Sequence, residues 1–296
     1  MILDYPPIYE GELLSSYIYR YHSYTGYSSF SDTALEIWGR RGKWISSILF
    51  PSNAYVIIRQ LGIKEEQYIK NHTVLQFYKF FLQQEKCKGI EQEMLYSSTV
   101  HIETLQKNVL IDYDNLSFSY CPKCISDNNN LLIIKREHQI TGVYVCALHG
   151  CFLEKYIIRN RRDRINFDEF DFKACVHYND NKMLIDFSKS VLYIFNEIFN
   201  IGFPEIIYYL KTRLIQEGLL GKDGRVNTSK EILFKKSFHD APEIYRNAIW
   251  SSSLGHIFDL NNYSLIKPLI FIIVITKLYE SFENFYKEAI SLIKKE

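Results

Sequence analysis

Two close donor pairs constrain this chain more than any other feature. Cys121 and Cys124 have two residues between them, and Cys146 and His149 repeat that spacing about twenty residues later. Each pair reads as a knuckle, a tight turn that aims two ligand atoms at one point. Three thiolates and one imidazole are the donor set of a closed tetrahedral Zn²⁺ site. Such a site keeps no position for water or substrate, so the reading is structural zinc with no catalytic residue. His149 is the expected fourth ligand. Cys151 lies close enough to compete as an alternative ligand, as does His138 in the intervening loop, although His138 is expected rather to donate a hydrogen bond that holds the loop to the site. Metal binding on this scale contributes on the order of 10 kcal/mol to folding a segment with little apolar core of its own.

The remaining cysteines, Cys87 and Cys175, stand alone. Thiols that stay reduced fit a cytoplasmic protein best. Met1–Tyr9 is acidic and proline-containing, without the apolar run of a signal peptide. The longest apolar run, Pro268–Thr276, is too short to span a bilayer and reads as a buried helix, so no membrane partner is expected. Lysine and arginine total 35 against 34 acidic residues, a net charge of +1 that argues against a strongly basic, non-specific nucleic-acid binder but leaves local patches open.

The periodicity predicts a mainly α chain with a small zinc-knuckle or ribbon segment. Three parts are expected: an N-terminal helix-turn-helix-like domain over residues 1–110, a zinc-binding segment over 111–165 and a C-terminal helical domain over 166–296. In the first, a helix starts near Glu12, with Leu13, Leu14, Tyr17, Ile18 and Tyr21 on one face and Gly26 as its stop. A second starts around Ser31, where Thr33 and Glu36 have capping-box spacing, and ends at Gly39. Further helices are expected over Ser52–Leu61, Glu65–Ile69 and Thr73–Gln84. In the metal segment, Leu131–Lys135 and Val143–Cys146 read as two short strands. Beyond Asp171 the pattern is almost all helix: Asn179–Asn200, Phe203–Leu220, a third capped by Thr228 or Ser229, then Ala241–Ser252 and Ile266–Lys294. The third places Ile232, Leu233 and Phe234 toward the core, with Lys230, Lys235 and Lys236 outward.

Three cationic groups suit phosphate contacts: Arg40, Arg41 and Lys43 at a turn; Arg159, Arg161, Arg162 and Arg164 after the metal segment; and Lys230, Lys235 and Lys236. No glycine-rich phosphate loop, nucleophile elbow or His-Glu metalloprotease motif is present. Glu137 adjoins His138, but the H-x-E spacing of zinc deaminases is absent, which disfavours a zinc hydrolase.

Several stretches together resemble the TniQ/TnsD family of transposon target-site selectors. Pro6–Gly26 resembles its proline-rich start and E-x-L-x-S-W/Y-x-x-R helix, with Glu12, Leu14, Ser16, Tyr17 and Arg20 in those positions. Asn71–Phe81 is similar to its H-T-x-x-x-Y/F-x-x-F stretch. Cys121, Cys124, His138, Gln139, Cys146, His149 and Leu153 match its signature. Tyr17 departs from the tryptophan many members carry, and Ser126–Asn130 lacks a frequent glycine; neither change touches a metal ligand. The resemblance implies a non-enzymatic adaptor that recognises attachment-site DNA or a guide-RNA Cascade-type complex and recruits a TnsC-type AAA+ ATPase. A helical, zinc-stabilised protein–protein scaffold is the alternative.

Overall fold

A computed structural model describes residues 6–41, 49–97, 117–157, 175–197, 199, 202–257 and 267–293. Helix α1 (Leu14–Thr25) follows from its apolar stripe. Leu13, Leu14, Tyr17, Ile18 and Tyr21 are at most 1% exposed, and Gly26 closes the helix at φ +67°, a backbone region that glycine enters without steric cost. Helix α2 (Phe30–Trp38) is capped by Ser29, whose hydroxyl accepts from Ser31 N. The expected Thr33–Glu36 capping box does not form, because α1 recruits both side chains: Thr33 Oγ1 lies 2.6 Å from His22 Nδ1 and Glu36 accepts from Tyr21. Four short helices follow: α3 (Tyr55–Gln60), α4 (Glu65–His72), α5 (Leu75–Lys79) and α6 (Gln84–Tyr96).

The E-x-L-x-S-Y-x-x-R stretch proves to be a buried clasp. Glu12 is fully buried, and its carboxylate accepts from Tyr9 N (3.0 Å), Ser16 Oγ (2.9 Å), and Arg20 Nε and Nη2 (both 2.8 Å). The same elements hold the metal segment. Ser16 Oγ accepts from Ile134 N, Leu13 N donates to Ile134 O and Arg136 N donates to Gly11 O. A glutamate buried here would be costly without such partners; with four donors its charge is matched.

The metal segment runs through strand β1 (Ser117–Tyr120), helix α7 (Pro122–Asp127), a 3₁₀ turn (Arg136–Gln139) and strand β2 (Glu154–Ile157). Strands β1 and β2 pair antiparallel, Ser117 opposite Ile157 and Tyr120 opposite Glu154, so they flank the donor pairs. The expected strands Leu131–Lys135 and Val143–Cys146 are corrected: they are extended connections with single bridges, Glu12 to Lys135 and Val145 to Phe152. Leu132, Ile134, Val143 and Val145 are buried in the common core, which produces apolar runs without a ladder.

The C-terminal part comprises α8 (Lys182–Asn196), α9 (Phe203–Gln216), α10 (Thr228–Lys236), α11 (Glu243–Trp250), α12 (Leu254–Ile257), α13 (Pro268–Tyr279) and α14 (Phe282–Ile293). Helix α13 is apolar around its circumference, with Ile270–Ile275 buried throughout, and it packs on α8, α11 and α14. The single helix expected over Ile266–Lys294 is broken at Glu280, which takes φ +67°. Asn227, rather than Thr228 or Ser229, caps α10 by accepting from Lys230 N. The phenylalanines join the parts: Phe77 lies 5.7 Å from Phe195, and Phe81 lies 5.6 Å from Phe271. Arg136 reaches from the 3₁₀ turn, stacks 4.5 Å from the Phe195 ring and donates to Lys70 O. On the far side Tyr245 OH donates to Gly142 O at 2.6 Å. Buried residues of all three stretches thus form one continuous core. No helix among the described residues is long and apolar enough to cross a membrane.

Candidate metal centre

Local folding brings the two donor pairs to one point. Cys121 is the N-cap of α7, its sulfur accepting from Cys124 N at 3.3 Å, with Pro122 in the first helical position. The cap therefore fixes Cys121 and Cys124 on one face of a short helix. The second pair sits in a tight loop: Gly150 N donates to Cys146 O, Cys146 N donates to Cys151 O, and Gly150 adopts φ +65°. Residues 177–179 brace this loop, with His177 O accepting from Phe152 N and Asn179 N donating to Gly150 O.

The donor atoms of Cys121, Cys124, Cys146 and His149 all lie within 4.8 Å of one another. His149 Nδ1 is 3.4 Å from the sulfurs of Cys121 and Cys124 and 3.5 Å from that of Cys146. The Cys124 and Cys146 sulfurs are 3.8 Å apart. Zinc bonds of about 2.3 Å to sulfur and 2.0–2.1 Å to nitrogen, at tetrahedral angles, give edges of about 3.8 Å for S···S and 3.5 Å for S···N. The cluster therefore fits a metal ion such as zinc in size as well as in donor chemistry.

Its electrostatics ask for a cation. Three thiols this close cannot all ionise by themselves. Contacts with Cys121 and Cys124, helped by His138, push Cys146 far down, whereas contacts with Cys124 and Cys146, together with burial, push Cys121 far up. A dication among them would remove this conflict and let all three ionise.

Around the four stand groups that touch them. His138, 3% exposed, stands beside Cys146 and helps hold that thiol's pKa down, while its own Nδ1 is buried without a hydrogen-bond partner among the described residues. Cys151, fully buried, has its sulfur 3.3 Å from that of Cys121 and lies outside the group of four. Gln139 positions the His138 turn: its amide donates to Ser119 O at 2.7 Å and accepts from Ser119 N at 2.9 Å, tying the turn to β1. Asp127 Oδ2 lies 3.2 Å from His149 Nε2. In the sequence Gln139 stands out only as part of the signature match, and Asp127 does not stand out at all. The signal available for Asp127 was a carboxylate three residues after Cys124, on the same helical face.

The cationic candidates fall into different places. Arg40 is exposed; Arg41 is exposed and pairs with Asp32 at 3.1 Å. Lys43, Arg159, Arg161, Arg162 and Arg164 lie outside the described residues. Lys230 and Lys236 are exposed, with the Lys230 ammonium donating to Glu217 O. Lys235 does not point outward as expected. It is buried, donates to Ser252 O at 2.6 Å and pairs with Glu231 at 3.2 Å. That inward pair turns Ile232 and Leu233 to solvent, at 41% and 66% exposure.

A profile of the TniQ family matches residues 5–153, a span that takes in the buried clasp and the entire donor cluster. The chain belongs to the TniQ family. No curated protein matches it. TniQ proteins are associated with target-site selection in transposition, where they work with DNA and other Tns proteins as adaptors rather than catalysts. The TniQ match ends at Leu153, just past the second donor pair.

Proposed function

We propose that this chain is a target-selection adaptor: it recognises target DNA or a guide-RNA Cascade-type complex and recruits a TnsC-type AAA+ ATPase. The TniQ match across residues 5–153 carries this reading. In it, Cys121, Cys124, Cys146 and His149 hold a structural Zn²⁺, with His138 and Cys151 supporting the cluster from outside. Bound zinc supplies cross-linking and no reaction step, because four protein donors complete its tetrahedron. A zinc hydrolase would need one of those positions open.

Direct DNA contact would use cations for phosphate affinity. Arg40, Arg41, Lys43, Arg159, Arg161, Arg162, Arg164, Lys230 and Lys236 are the candidates, and Lys235 is excluded by its buried pair with Glu231. Binding of zinc-replete protein to duplex DNA across a salt series tests the mode. Six to ten phosphate contacts lose about 10³–10⁵ in affinity between 50 and 200 mM salt. Steep, sequence-preferring binding makes the chain a DNA reader. Absent binding at low salt, with retention on a guide complex or a TnsC-type ATPase, makes it a partner-guided adaptor. Failure on all three overturns the proposal and favours the zinc-stabilised scaffold.

A further inference from the structure

The donors differ in how they are enclosed. Cys121 and Cys146 are each 1% exposed, and their sulfurs have close neighbours: Cys121 has Cys124 N and the Cys151 sulfur, and Cys146 has the Cys124 sulfur at 3.8 Å. The His149 side chain is 22% exposed and borders a surface cleft of about 350 Å³, whose lining includes Tyr9, Glu10, Cys124, Asp127 and Leu131. Cys124 and His149 are the two donors that border this cleft, and a swing of the His149 ring into it would open the cluster. Outside the donor cluster, the contact among the described residues that opposes this swing is Asp127 Oδ2 on His149 Nε2 at 3.2 Å. Asp127 is itself steadied by Lys123 Nζ at 2.6 Å on its other oxygen. Cys121, Cys124 and Asp127 recur every third residue, so α7 supplies two donors and the carboxylate that holds the fourth.

We propose that Asp127 is the latch of the metal centre: it keeps the proton of His149 on Nε2, leaves Nδ1 free to bind metal, and so controls how fast the metal is lost. The inference rests on the reading of Cys121, Cys124, Cys146 and His149 as ligands. A carboxylate on the outer nitrogen fixes the tautomer and orientation of a ligating imidazole, and removing such a partner typically costs about 10–100-fold in metal affinity. Asp127 is 47% exposed, which places the expected effect at the lower end.

The test is zinc transfer from the loaded 296-residue chain to an excess of a chromophoric chelator, with far-UV circular dichroism checking that each variant stays folded. Asp127→Ala should release zinc about tenfold faster than wild type. Asp127→Asn keeps an oxygen that accepts from Nε2–H and should stay within about threefold of wild type. Imidazole ¹⁵N NMR of the loaded wild type should show His149 protonated on Nε2. Release from Asp127→Ala within about twofold of wild type, equal rates for the alanine and asparagine variants, or a His149 bare at Nε2 overturns the latch. Wild-type protein that takes up no zinc overturns the ligand assignment itself, and the latch with it.

Discussion

Arg20 lies in the stretch that resembles the family's E-x-L-x-S-W/Y-x-x-R helix, and its geometry marks it as a structural residue whose loss is expensive. It supplies two of the four hydrogen bonds on Glu12 and also donates to Pro7 O at 2.7 Å. The side chains of Arg20 and Glu12 are 7% and 0% exposed, so water cannot stand in for the guanidinium. Arg20→Ala leaves a buried carboxylate with half its partners, a loss of about 3–5 kcal/mol; an exposed pair would lose about 1 kcal/mol or less. At about 2–4 °C per kcal/mol, the melting point of the zinc-loaded protein should drop by on the order of 10 °C. Arg20→Lys should rescue little, because an ammonium lacks the fork that meets both carboxylate oxygens and stacks poorly on Tyr9, whose ring lies 4.9 Å from the guanidinium. The double variant Glu12→Gln/Arg20→Met should recover most of the loss, giving a coupling energy of about 2 kcal/mol or more in a urea-unfolding cycle. Arg20→Ala within about 1 kcal/mol of wild type, or strict additivity in the cycle, would refute the clasp.

Two further outcomes follow. Cys121→Ser should cost stoichiometric zinc and unfold at least the metal segment, measured by metal analysis and melting, whereas Cys87→Ala and Cys175→Ala should leave zinc content unchanged. Gly142→Ala places a methyl 2.5 Å from Leu269 Cδ1 and 2.8 Å from Phe187 Cζ at a backbone φ of +97°, so it should destabilise the protein by on the order of 3 kcal/mol in urea unfolding and loosen the seat of α8 and α13 on the metal loop.

The donor set was legible because metal chemistry demands particular residue types at particular spacing, and little else yields Cys121, Cys124, Cys146 and His149 in that order. Helix α1 was legible because its apolar stripe is strict and Gly26 ends it. The errors share one physical cause: a nearby element satisfied a group that local rules had assigned elsewhere. Thr33 and Glu36 have capping-box spacing but serve His22 and Tyr21. Glu231 and Lys235 satisfy each other and the backbone of residues 252 and 254, so α10 buries its ion pair and exposes Ile232 and Leu233, the reverse of what hydrophobic pattern suggests. Leu131–Lys135 reads as a strand because Leu132 and Ile134 alternate into the core while Leu131, Ile133 and Lys135 line a surface cleft, with a single bridge at Lys135 in place of a ladder. The turn at Glu280 carries no glycine or proline; the chain turns there while Phe282 N finds Ser190 Oγ, 92 residues away. Such distant partners leave no local trace. Asp127 was missed because one exposed carboxylate looks like any other until His149 is placed beside it.

The bond from Ile134 N to Ser16 spans 118 residues, and this has a consequence during synthesis. While the chain is made from its N-terminus, α1 emerges long before its partners. At about 5–20 residues per second, the aromatic stripe of Tyr17 and Tyr21 waits on the order of ten seconds for Ile134 and the second donor pair to leave the ribosome. Throughout that interval the Glu12–Arg20 pair lacks the cover it has in the finished fold. The metal segment likewise cannot be cut out and grafted as a self-sufficient finger, because part of its wall is built from the first twenty residues of the chain.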